Sequence, residues 1–172
     1  MQKADAVLQK KKDDRGINIM NNEMIIEVNE VFKKYDDATV LDNVSLEIEK
    51  GKIYGLVGRN GSGKTVLMKC ICGLIKPTSG EVKVAGKTVG KDVDIPEDIG
   101  VIIETPGFIP NYSGFKNLKL LASVRNKISN EEIRKSMEIV GLEPKSRKHV
   151  GKYSLGMRQK LGIAQAIMEK PK

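Results

Sequence analysis

The sequence predicts an α/β fold with an antiparallel β subdomain at its start and a helical subdomain toward its end. Three observations carry that prediction. The apolar run Ile53-Tyr54-Gly55-Leu56-Val57 leads into a glycine-rich loop as a buried strand would, and Val66-Leu67-Met68-Lys69-Cys70-Ile71-Cys72 leads out of it without Pro or Gly, as a helix would. Ahead of the loop, apolar residues alternate with polar ones at the strand period of two. Beyond residue 116 they recur at the helical period.

The elements follow in order. Residues 1–23 are polar, charged and non-periodic, and read as a disordered leader. Arg15-Gly16 can be encoded by a purine-rich stretch a few codons before Met20, so translation is expected to start at Met20 or Met24. The folded domain is expected over residues 24–172. Ile26 and Val28 alternate with Glu27 and Asn29, and Val44, Leu46 and Ile48 with Ser45, Glu47 and Glu49. Two antiparallel strands should therefore flank the turn Tyr35-Asp36-Asp37-Ala38. Past the first helix, Lys76-Pro77-Thr78-Ser79-Gly80 is a turn and Glu81–Val89 a hairpin. Ile99-Gly100-Val101-Ile102-Ile103 reads as a buried strand ending at Glu104. One helix is expected over Asn117–Val124. A second starts with the capping box of Ser129 and Glu132 and is closed by Gly141. A third starts at Ser154, with Met157, Leu161, Ala164 and Met168 on one face.

At 172 residues and 40% apolar, the chain is long enough for one domain with a real core. No apolar run approaches 18 residues, and no apolar segment follows the N-terminal charges, so the expected location is cytoplasmic. Cys70 and Cys72 lie two apart on a helix and face different directions, which favours free buried thiols over a bridge. The net charge is +8, from 30 basic and 22 acidic residues. It permits an anionic partner, but four Tyr, three Phe and no Trp offer few stacking surfaces, so nucleic acid is not expected as a partner.

The loop between strand and helix is Gly58-Arg59-Asn60-Gly61-Ser62-Gly63-Lys64-Thr65, which fits G-x-x-x-x-G-K-[ST], the phosphate-binding loop of nucleoside-triphosphate proteins. Each residue type has a reason. Gly58, Gly61 and Gly63 let the backbone take positive φ and turn successive N–H groups toward an anion at the helix N-terminus. Lys64 neutralises β/γ charge. Thr65 offers a hydroxyl to Mg²⁺, and Asn60 and Ser62 help hold the loop's shape. The core is thus expected to be a P-loop NTPase core that binds a nucleoside triphosphate with Mg²⁺.

About ninety residues on, Tyr153-Ser154-Leu155-Gly156-Met157-Arg158-Gln159 resembles the signature segment of ATP-binding-cassette (ABC) transporter ATPases, usually Leu-Ser-Gly-Gly-Gln. Ser154 and Gly156 are kept; Leu155 and Met157 depart, in a variant similar to that of antibiotic-peptide and multidrug exporters. Tyr35, ahead of Val40–Leu46, matches the family's adenine-stacking aromatic. The resemblance runs from about Ile26 to the last residue. Glu104 stands at the family's Gln-loop position, a replacement similar to the bacitracin and lantibiotic exporter ATPases. The resemblance implies that Glu104 senses or coordinates Mg²⁺, and that Ser154 and Gly156 act on nucleotide held by a second ATP-binding subunit. It implies also that a membrane permease subunit anchors the protein at the inner face of the cell membrane.

In the family an apolar strand ending in Asp-Glu follows the signature helix, and later comes a His. Here Glu169-Lys170-Pro171-Lys172 stands where that strand would begin, and the one His, His149, precedes the signature. The expectation is a C-terminally incomplete core that leaves strand edges uncovered, binds nucleotide, lacks the general base, and hydrolyses ATP poorly. Two rival readings remain at the level of sequence. One is a small phosphate-loop kinase or GTPase-like protein using Val101–Glu104 as its metal-binding strand; the other is a nucleotide-binding remnant without a transport role.

Overall fold

The protein is described by a computed structural model over residues 7–9, 23–104 and 106–171. Apart from Val7–Gln9 and Glu23, the segment read as a leader lies outside the described residues. The chain divides into two compact units, Met1–Pro96 and Glu97–Lys172. The first contains β1 (Val7–Gln9), β2 (Met24–Tyr35), β3 (Ala38–Glu49), β4 (Gly55–Val57), α1 (Lys64–Ile71), β5 (Ser79–Val84) and β6 (Lys87–Thr88). The second contains α2 (Gly114–Arg125), α3 (Asn130–Ile139), a 3-10 turn at Val150–Lys152, and α4 (Leu155–Ile167).

In the first unit β3, β2, β5 and β6 form an antiparallel sheet in that order. The β2–β3 hairpin closes with Tyr35 opposite Ala38, as the period-two pattern predicts. The pattern is not continuous along β2. Its ladders slip between Val28 and Val31, where Glu30 takes φ 47, and the slip lets Val28 and Val31, three apart, both bury completely. They share the core with Leu41, Val82 and the inner face of α1, Leu67, Cys70 and Ile71. Both cysteines are free and buried. Burial raises each thiol above its ordinary range, with Lys33 pulling Cys70 partly back.

The strand leading into the glycine-rich loop departs from expectation. Only Gly55–Val57 is extended, paired antiparallel with β1, and Ile53 is 96% and Val57 57% exposed. An apolar run becomes a buried strand only when neighbours cover both its edges and both its faces, and β1 is the only ladder partner of β4 among the described residues. The second departure is Ile99–Ile103, expected as a buried strand and observed as irregular chain with Ile102 40% exposed. An isolated apolar run carries no information about who pairs with it.

The second unit is a helical cluster whose core joins Leu118, Ala122, Ile133, Met137, Leu161 and Ala164. The apolar face of α4 is as predicted, with Leu161, Ala164 and Met168 buried and Met157 packed against them. The Ser129–Glu132 capping box is formed in both directions, and Gly141 follows α3 at φ 69. α2 starts three residues earlier than predicted, capped by Ser113, whose hydroxyl accepts from the Lys116 N–H. Gly114 lowers the local helix preference and no Glu follows at the capping-box position, so the sequence signal was weak there. Among the described residues no helix is long and apolar enough to cross a membrane.

Candidate nucleotide site

Gly58–Thr65 forms a loop between β4 and α1, and a cavity of about 500 Å³ opens along it, lined by Asn60 through Val66 and by Val40 of β3. Gly63 is sterically required. A Cβ on Gly63 would stand 2.7 Å from the Val40 carbonyl oxygen and 2.9 Å from the Leu41 side chain, and the residue sits at φ 83. Gly58, expected at positive φ along with Gly61 and Gly63, does not take it; a Cβ there would stand 2.6 Å from the Ser62 hydroxyl, the end of a short side chain that can rotate away. The loop is therefore folded against β3 by close backbone approach, and its inner rim is made of main chain.

Gly63, in the left-handed conformation, is the N-cap of α1 and offers no side-chain cap; the first turn holds no acidic residue. The other three α-helices of the described residues each start with a serine whose hydroxyl accepts from a first-turn N–H. The N–H groups at the start of α1 are thus left for an outside acceptor, at the positive end of the helix dipole. Lys64 arches back over the loop, its Nζ donating to the carbonyls of Gly58 and Arg59 at 2.7 Å each and to Ser62 Oγ at 3.3 Å. Thr65 is exposed. A single hydroxyl cannot hold Mg²⁺ by itself, but suits an ion that keeps its waters and shares phosphate oxygens. The residues present fit a polyphosphate with its metal.

Tyr35 is 45% exposed at the hairpin end, with Lys33 Nζ 4.9 Å from its ring centroid. It does not line the loop cavity. Its cross-strand partner Ala38 is two residues from Val40, roughly 7 Å along the strand, within reach of a ligand longer than a phosphate group. Sequence reasoning missed Val40, because a main-chain contact leaves no residue-type signal.

Glu104, Ser154 and Gly156 belong to the second unit. Glu104 is exposed and adopts φ 61, a conformation that costs a non-glycine residue roughly 1–2 kcal/mol. Ser154 is exposed and caps α4, its Oγ accepting from the Met157 N–H at 3.2 Å. That bond uses the oxygen; the hydroxyl proton is still available to an anion. A Cβ on Gly156 would meet nothing within 4 Å, so the glycine keeps the surface beside Ser154 low. Ser154, Gly156, Met157 and Lys160 line a cavity of about 450 Å³ with Gly141 to Glu143, Ser146 and Tyr153.

Residues 41–172 match the ABC transporter family. The chain belongs to that family. It is 48% identical over 147 residues to the uncharacterised ABC transporter ATP-binding protein YybJ of Bacillus subtilis (strain 168), covering 86% of this chain and 67% of the relative. It is 44% identical over 154 residues to the bacitracin transport ATP-binding protein BcrA of Enterococcus faecalis, covering 89% and 50%. The dimeric structure of MJ0796, a bacterial ABC transporter cassette, superposes with a TM-score of 0.70 at 25% identity, over 85% of this chain and 70% of that one. This chain spans between half and two thirds of the length of the two relatives. The ABC family and the irregular course of Ile99–Ile103 together set aside the small-kinase reading, which needed a strand there.

Proposed function

We propose that residues 24–172 are the ATP-binding domain of the cytosolic subunit of an ABC exporter of the antibiotic-peptide or multidrug type. The subunit is held at the inner face of the cell membrane by a permease and pairs with a second ATP-binding subunit. The observation that carries the reading is the uncapped start of α1 inside a main-chain cradle with Lys64 folded over it. The identity to BcrA and the Glu104 replacement favour the peptide-antibiotic class.

In this reading Gly58, Gly61 and Gly63 admit the triphosphate, Asn60 and Ser62 shape the loop, Lys64 leaves its carbonyls for the β/γ charge, and Tyr35 stacks on adenine. Thr65 would hold Mg²⁺, which supplies further charge neutralisation when bound. Ser154 donates its hydroxyl proton, with the α4 N-terminus and Gly156, to nucleotide held by the second subunit.

Lys64→Ala tests the site. Losing its charge-assisted contacts should weaken Mg-ATP binding by roughly 2–4 kcal/mol, about 30- to 1,000-fold in Kd. Equal affinities of wild type and variant by calorimetric titration would end this reading.

A further inference from the structure

Asn117 is extensively hydrogen-bonded through its side chain. It is 3% exposed, and its Oδ1 accepts from the Ile109 N–H at 2.8 Å. Its Nδ2 faces three carbonyls, those of Ile109 at 3.1 Å, Ser113 at 3.1 Å and Tyr112 at 3.5 Å. One buried amide thus fixes a strandless segment five to nine residues past Glu104.

The same segment is bonded from its other side. The Val150 N–H donates to the Tyr112 carbonyl and the Gly151 N–H to the Pro110 carbonyl, both at 2.9 Å, and Ser113 bridges His149 in antiparallel fashion. Residues 149–151 lead through the 3-10 turn and buried Tyr153 into Ser154. Further along, Pro106 lies so close to Gly162 of α4 that a Cβ there would stand 2.9 Å from its ring. The chain after Glu104 and the chain before Ser154 are therefore laced together by backbone bonds, and Asn117 holds one side of the lacing.

From this geometry we propose that Asn117 is a positioning residue for Ser154. By bonding Ile109 through both its N–H and its carbonyl, and the Ser113 carbonyl, it fixes the two ends of the segment whose Tyr112 and Pro110 carbonyls hold Val150 and Gly151, and so sets where the start of α4 stands relative to the segment carrying Glu104. Buried polar groups left without partners are costly, so this arrangement has one well-satisfied geometry. The proposal deepens the role given to Ser154 above and rests on that reading for its functional meaning.

Amide hydrogen exchange on the full chain tests it. Asn117→Ala should speed exchange at Val150 and Gly151 by about tenfold or more while α3 amides stay protected and the Mg-ATP Kd stays within about twofold. Leu118→Ala, a neighbouring core truncation on α2, is the control for general loosening. Unchanged exchange at Val150 and Gly151 in Asn117→Ala overturns the proposal, and so does the same selective loosening in Leu118→Ala. Wild type that binds no Mg-ATP would remove the proposed function, while the exchange comparison would still decide the role of Asn117.

Discussion

Two helix starts, α1 and α4, face solvent with opposite construction. α4 begins with Ser154 in an extended conformation (φ −65, ψ 165), its hydroxyl taking up a first-turn N–H. α1 begins with Gly63 at φ 83 and takes up none. The capped start satisfies one of its own first-turn donors and is held by a dense core beneath it: Leu161 and Ala164 are fully buried. The uncapped start is completed only by something from outside, and the strand that feeds it, β4, is three residues long and largely open. A serine cap satisfies one first-turn donor from within the chain; a glycine start leaves that donor for an outside acceptor.

The largest effect should come from breaking the packed side of this contrast. Leu161 is fully buried among Leu118, Ile133 and Met137, so Leu161→Ala should cost roughly 2–5 kcal/mol of stability in the second unit. Denaturant unfolding followed by a probe in each unit checks it. An equal loss in both units would mean that the phosphate-loop side leans on this core, and the contrast would fall.

That contrast also explains what was readable in the sequence. The Ser129 and Ser154 caps, the buried face of α4, the Tyr35–Ala38 hairpin end and the Gly58–Thr65 loop are local, and each depends on residues within a few positions of one another. The strand expected over Ile99–Ile103 and the burial expected for Ile53 depend on distant partners, and there the reading failed. The site was legible where side-chain type decides, as at Lys64 and Thr65. It was silent at Val40, whose contribution is a carbonyl, and at Asn117, whose side-chain bonds all run to main chain.

A second, smaller perturbation sharpens the account of the helical unit. Glu132 closes the α3 capping box and meets Lys170 Nζ at 2.6 Å. The Lys170 contact, then the Ser129 N–H and hydroxyl, hold its carboxyl at about 2 instead of the ordinary 4.5. A depressed folded-state value stabilises the fold above the unfolded value and loses that contribution as pH falls from about 4.5 toward 2. The stability gap between wild type and Glu132→Gln should therefore be constant above about pH 5.5 and close toward pH 2. A gap independent of pH would mean that the capping geometry alone, and no charge, is responsible.

The smallest effect is expected at the open end of the comparison. β1 pairs with β4 over three residues, Val7 with Val57, Leu8 with Leu56 and Gln9 with Gly55. So short a two-stranded ladder is marginal by itself in water. The cradle around Gly63, by contrast, is fixed by its approach to Val40 of β3, which does not involve β1. Deleting residues 1–19 should accordingly change the stability of the first unit by less than about 1 kcal/mol and leave Mg-ATP affinity unchanged. Thermal melts with calorimetric titration of the shortened chain check both. A larger loss of stability, or a weaker ATP complex, would show that β1 supports the phosphate loop through β4, making the uncapped start of α1 dependent on its strand as well as on β3.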